Sequence, residues 1–238
     1  TASTRGEARL NLAGYDFPYL RLEQRAARAD LVGVSLCGAA FIRIHLEGAA
    51  EHFQNECVIL QRLTEGNCQT AASLIACGEL PPADSLILGP LAQAAGLVLN
   101  ASAAIQYHIC DYVRADRGRF GAADLLLALL EQQALGVYQN NVTLRNLRYD
   151  SVATLCRLSD YTQAGYLDAE VRAMPPKAYL HWCLERESQR EASGGEASYL
   201  RGALQGADWI WKEDRLNLMA AQIFTKPRIR DLPEPSIQ

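Results

Sequence analysis

Residues 120–135 constrain this chain more than any other stretch. Leu125, Leu126, Leu127, Leu129 and Leu130 fall within it and leave almost no polar face. A helix that is apolar on nearly all sides cannot rest on a surface. It has to run through the centre of a domain with other elements packed around it. An irregular polar stretch follows directly, Tyr138-Gln139-Asn140-Asn141-Val142-Thr143-Leu144-Arg145-Asn146. Two short strands are expected on either side of Asp150, at residues 147–149 and 154–158, and the second runs into Ser159-Asp160-Tyr161-Thr162. Beyond this the pattern is helical, broken at Pro175-Pro176 and at Ser193-Gly194-Gly195, with a Pro-rich tail at residues 227–235.

The first half reads differently. Residues 19–23, 30–36 and 40–46 are strand-like, and the last is the clearest: Phe41, Arg43 and His45 alternate with Ile42, Ile44 and Leu46. Cys37-Gly38 supplies a tight turn between the second and third. Residues 49–63 predict a helix with Phe53, Cys57, Leu60 and Leu63 on one face. Glu56 lies three after Phe53 and four before Leu60, so it points to that same buried side, where a carboxylate is costly unless paired. Two further strands are expected at residues 85–88 and 96–99, after the turn Pro81-Pro82-Ala83-Asp84, and helix from Ala101 onward. The order is strands, helix, strands, then a mostly helical half holding a small β-ribbon. This is an α+β chain in two lobes, an N-lobe over residues 1–100 and a C-lobe over residues 101–238.

Composition narrows the function classes. The chain has 238 residues, enough for two small lobes around a cleft. A net charge of −4 argues against a nucleic-acid-binding surface. The cysteines Cys37, Cys57, Cys68, Cys77, Cys110, Cys156 and Cys183 are scattered, without a CxxC pair or zinc spacing, and read as small hydrophobes in a reducing compartment. No apolar run is long enough to span a bilayer and no signal-peptide pattern opens the sequence, so the expected location is cytoplasmic, with peripheral membrane association left open. His45, His52, His108 and His181 lack ligand spacing and read as structural or surface residues; Trp182, Trp209 and Trp211 read as core or a docking face.

These elements and their placed polar residues resemble the protein-kinase-like fold, closest to the small bacterial kinases of the lipopolysaccharide-kinase type. The resemblance covers roughly residues 18–185 and implies a bilobal molecule, with a small antiparallel-sheet N-lobe carrying one helix and a mostly helical C-lobe. In that family a strand Lys grips nucleotide phosphates and a helix Glu pairs with it. A loop of pattern His-x-Asp-x-x-x-x-Asn supplies the base and a metal ligand, and an Asp-Phe-Gly turn supplies a second metal ligand. Arg43 stands at the Lys position and Glu56 at that of its partner. Gln139 to Asn146 aligns with the catalytic loop, Asn146 matches its metal-binding Asn, and Asp160 matches the metal-binding turn; residues 138–162 form the catalytic-loop-like segment. The resemblance implies ATP and Mg²⁺ as ligands, if any cofactor is kept, with Arg43, Asn146 and Asp160 toward the nucleotide and Asn146 and Asp160 toward the metal.

The departures carry chemistry too. Asn141 stands where the base would be, and an amide cannot take a proton near neutral pH. Losing a general base costs on the order of 10²–10⁴-fold in rate. Arg43 keeps the charge of Lys but not its compact shape. Of the 23 basic residues only Lys177, Lys212 and Lys226 are lysine, so Arg at this place can be drift. Residues 24–30 contain no glycine, so backbone N–H groups cannot approach phosphates as a Gly-rich loop allows. The reading expected from this set is a pseudokinase, a binding or regulatory module in bacterial cell-envelope polysaccharide biology whose partner is a protein, a small molecule or a sugar. Two other readings compete with it. One is an active atypical phosphotransferase acting on a lipopolysaccharide-core sugar or small molecule with another carboxylate as base. The other is an α+β interaction domain unrelated to kinases.

Overall fold

A computed structural model describes residues 5–6, 9–25, 28–47, 50–94, 96–97, 99, 104–112, 121–150, 153, 155–205 and 211–224. Asn100, the start of the expected helical half at Ala101, Trp209, the tail at 227–235 and part of the segment 24–30 lie outside these residues. The chain is mixed α/β. It divides into two compact units, Thr1–Cys57 with Leu74–Tyr112, and Val58–Ser73 with Val113–Gln238.

The first unit is built on an antiparallel sheet. Its strands are β1 (Arg5–Gly6), β4 (Leu20–Arg25), β5 (Arg28–Val34), β6 (Ala40–Glu47), β7 (Leu74–Glu79) and β8 (Gln106–Asp111), arranged β1-β4-β5-β6-β8-β7. A separate hairpin joins β2 (Leu10–Leu12) to β3 (Tyr15–Phe17) through Ala13 and Gly14. Both turn residues take positive φ, the geometry a two-residue hairpin needs to match strand twist. Leu10, Phe17, Leu20, Leu31, Ile42, Ile44, Leu88 and Ile109 form the apolar core. Ile42 and Ile44 are fully buried there, which fixes the phase of β6 and sends Arg43 and His45 to the opposite face. Gly33 allows the close approach of β4: a Cβ at this position would meet the Tyr19 carbonyl oxygen and Leu20 Cδ2, each at 2.8 Å.

Helix α1 (Ala50–Glu65) follows β6, and the division between the units falls inside it, after Cys57. Two expectations fail next. Residues 85–88 are not a strand but part of α2 (Pro82–Ala94). Four residues with three apolar side chains cannot distinguish the two states; Pro82 at the first helical position and the buried Leu88 and Ala92, one turn apart, decide it. Residues 96–99 contain no strand among those described. Gly96 ends α2 instead, at φ +75°, with Gly96 N–H bonded to Gln93 O and Leu97 N–H to Ala92 O, the paired bonds of a Schellman cap. The helical pattern expected after Ala101 is likewise interrupted by β8, which sits between β6 and β7 and has little alternation to reveal it.

The second unit surrounds α3 (Ala122–Ala134), the leucine-rich helix of residues 120–135. Leu125, Leu126 and every residue from Ala128 to Ala134 are buried, as its all-round apolarity requires. Its one buried carboxylate, Glu131, accepts hydrogen bonds at Oε2 from Gln69 N–H, Thr70 N–H and the Thr70 hydroxyl at 3.1, 3.0 and 2.8 Å. After α3 come β9 (Val137–Tyr138), a 3₁₀ turn (Leu144–Asn146), β10 (Leu147–Asp150), β11 (Leu155–Leu158) and β12 (Gly165–Tyr166). β10 pairs with β11, the ribbon expected around Asp150, and β9 pairs with β12. Helices α4 (Ala169–Arg172), α5 (Pro176–Ala192), α6 (Tyr199–Gln205) and α7 (Glu213–Phe224) complete it. α5 starts at Pro176 and ends at Ser193-Gly194, the two breaks read from the sequence.

No helix among the described residues is long and apolar enough to cross a membrane. All seven cysteines are free thiols: Cys68, Cys110, Cys156 and Cys183 are buried, Cys57 is half-buried, and Cys37 and Cys77 are exposed.

Candidate functional site

The candidate residues form two groups, one in each unit. In the first, Arg43 Nη1 donates to Glu56 Oε2 at 2.7 Å. β6 and α1 each present one of the partners, and both side chains are less than a tenth exposed. The carboxylate that the sequence placed on the buried side of α1 is therefore paired.

The surrounding charges were not singled out by sequence reasoning. Asp30 Oδ2 lies 2.8 Å from Arg28 Nε and 3.9 Å from Arg43 Nε, and Asp30 Oδ1 is 3.1 Å from His45 Nδ1. The signal was available in the register. A turn at Cys37-Gly38 sets Asp30 opposite His45 and Val32 opposite Arg43, so Asp30 shares the Arg43 face. On that face Phe53 of α1 stacks between two imidazoles, His45 at 5.4 Å and His108 at 5.1 Å between ring centroids. Burial lowers the His108 pKa to about 4, against a smaller upward pull from Glu56, so its ring is neutral at pH 7.

In the second unit the polar stretch after β9 is pinned from three sides. Gln139, fully buried, donates from Nε2 to the carbonyls of Ser159 (2.7 Å) and Asp160 (3.1 Å) and accepts from Asn141 N–H (3.3 Å). Asn146 Nδ2 donates to the Asn141 carbonyl at 3.0 Å, and the Asn146 carbonyl accepts from Ser159 N–H at 2.8 Å. Glu187 of α5 accepts at Oε1 from the Tyr138 hydroxyl (2.8 Å) and from Val142 N–H (3.2 Å). Asn141, Asn146 and the Ser159-Asp160 turn are thus brought together. Gln139 is the residue whose structural part the sequence did not disclose, since its partners lie 20 and 21 positions away.

Two backbone features mark this constellation. Asn140 and Asp160 both adopt left-handed conformations, φ +57° and +62°, which Asn and Asp tolerate better than most residues. Asp160 is buried, and its Oδ1 accepts from the Thr162 hydroxyl at 2.7 Å. Asn141 is also buried, and its Oδ1 accepts no hydrogen bond among the described residues.

The donor set suits a hard cation. With its Nδ2 committed to the Asn141 carbonyl, Asn146 has Oδ1 to offer a ligand, and Asp160 adds a carboxylate. Mg²⁺ typically takes one or two carboxylates and completes its octahedron with phosphate oxygens and water. Asn146 and Asp160 are the residues that would hold it. Among the described residues no group of three or more His, Cys, Asp or Glu could hold a metal. No protein-family model matches this chain, and no curated protein matches it.

Proposed function

We propose that this chain is a kinase-like domain that has lost phosphoryl transfer and serves as a binding or regulatory module, with a Mg²⁺-nucleotide as its ligand. The observation that carries this reading is the hydrogen-bonded constellation of Asn141, Asn146 and the Asp160 turn, in which an amide stands at the place a base would occupy. Asn141 Oδ1 can accept a hydrogen bond from a hydroxyl but cannot carry its proton away. Asn146 and Asp160 retain the oxygen donors that hold a nucleotide's cation. The buried Arg43–Glu56 pair supports the same reading from the first unit, where a strand cation meets a helix carboxylate. When bound, the metal would neutralise phosphate charge; the chain's own part is to hold it.

The direct test is ATP consumption by the full chain in the presence of Mg²⁺. The reading expects background turnover in the wild type and in Asp160→Asn alike. Steady turnover abolished by Asp160→Asn would overturn it in favour of an active phosphotransferase.

A further inference from the structure

A cavity of about 510 Å³ lies within the second unit, lined by Tyr138, Asn140, Tyr166, Asp168, Trp182 and Arg186 among others. Its size is that of a small-molecule site. The aromatic walls are held in place: the Tyr138 hydroxyl is bonded to Glu187, and Trp182 meets Tyr138 edge-on at 5.1 Å while stacking on Tyr179 at 5.8 Å. These contacts fix the cavity's shape before any ligand arrives.

Two charges line this cavity without ionic partners among the described residues. The Arg186 guanidinium lies over the Trp182 ring, 5.5 Å from its centroid. Arg190, one turn further along α5, is by contrast bound to Glu187. Asp168 also faces the cavity, and its side chain caps no helix. The opposite charges do not pair with each other. A ligand whose charges complement both carries a carboxylate for Arg186, an ammonium for Asp168 and an apolar body for the aromatic walls. A simple anion would meet the repulsion of Asp168 and a simple cation that of Arg186, whereas a zwitterion meets both charges favourably.

We infer that this cavity binds a zwitterionic amino acid with an aromatic side chain. The inference does not rest on the nucleotide reading, although Tyr138 and Asn140 belong to the polar stretch described above. The probe is L-phenylalanine, titrated calorimetrically into the full chain and compared with phenethylamine, which lacks the carboxylate, and 3-phenylpropionate, which lacks the ammonium. Both analogues should bind at least tenfold more weakly. Arg186→Gln and Asp168→Asn change exposed side chains, so both variants should keep the wild-type melting temperature while each weakens L-phenylalanine at least tenfold. Phenethylamine, having no carboxylate to lose and one repelling cation fewer to face, should bind Arg186→Gln at least as tightly as wild type. No binding of L-phenylalanine, equal binding to wild type and both variants, or equal binding of either analogue would overturn the assignment.

Discussion

Arg43 Nη1 and Glu56 Oε2 meet at 2.7 Å, joining the middle of a strand to the middle of a helix, with both side chains withdrawn from solvent. Removing one partner leaves the other charge buried, which costs about 3–5 kcal/mol. Glu56→Gln and Arg43→Met should each lower stability by that order in denaturant melts. The double variant should lose less than the sum of the two, because each single variant already breaks the same ion pair, and Arg43 keeps Asp30 at 3.9 Å in Glu56→Gln. Additive losses would mean that the pair is not coupled.

His108 should make the first unit sensitive to acid. Its ring is buried beside Phe53, with Glu56, Arg43, Asp30, Arg28 and Cys57 around it. With a folded pKa of about 4 against an ordinary 6.5, the unfolded chain binds this proton first. Its neutral-state contribution is therefore full above about pH 6.5 and declines as pH falls toward 4. The difference amounts to roughly 3 kcal/mol. His108→Phe, which keeps a ring against Phe53, should flatten the stability profile over that window. An unchanged slope would show that other groups carry the acid sensitivity.

The thiols should react in an order set by burial. Cys37 is exposed and its pKa is lowered, chiefly by its hydrogen bond with the Ser35 hydroxyl, so it holds more thiolate at neutral pH. Burial pushes Cys68 and Cys156 up to about 12. Brief iodoacetamide treatment followed by mass spectrometry should modify Cys37 early and leave Cys68, Cys110, Cys156 and Cys183 unmodified until the chain is denatured. Early labelling of Cys156 would contradict the packing of the β10–β11 ribbon against α3.

Local patterns announced the elements that local physics decides. α3 was legible because a helix apolar all round has one place to go, and β6 because Ile42 and Ile44 alternate with Arg43 and His45. α2 was misread because residues 85–88 are too short a run to show a period, although Pro82 marked a helix start. β8 was missed because Tyr107 and Ile109 pack on one face while His108 and Cys110 lie buried on the other, erasing the polar–apolar rhythm. At the site, the cost of a buried Glu56 pointed to a partner, which the structure supplies in Arg43. The Asp30 cluster required the strand register, and the bonds from Gln139 to residues 159 and 160 are long-range contacts that local periodicity does not encode. The cavity beneath Arg186 comes from the meeting of segments distant in sequence, none conspicuous alone.

As proposed, the Asn146–Asp160 constellation binds a metal nucleotide without turning it over. Its most direct measurement is the melting temperature of the full chain with ATP or ADP, with and without Mg²⁺, in wild type and Asp160→Asn. Asn is chosen because it tolerates the left-handed backbone at this position and can still accept from the Thr162 hydroxyl. Ligand at 100 times its Kd stabilises the folded state by about 2.7 kcal/mol, which for a chain of this size raises the melting temperature by roughly 5–10 °C. Such a rise is expected with Mg²⁺ present, little without it, and none in Asp160→Asn. No rise with either nucleotide, or a rise indifferent to both Mg²⁺ and Asp160→Asn, would contradict the proposal.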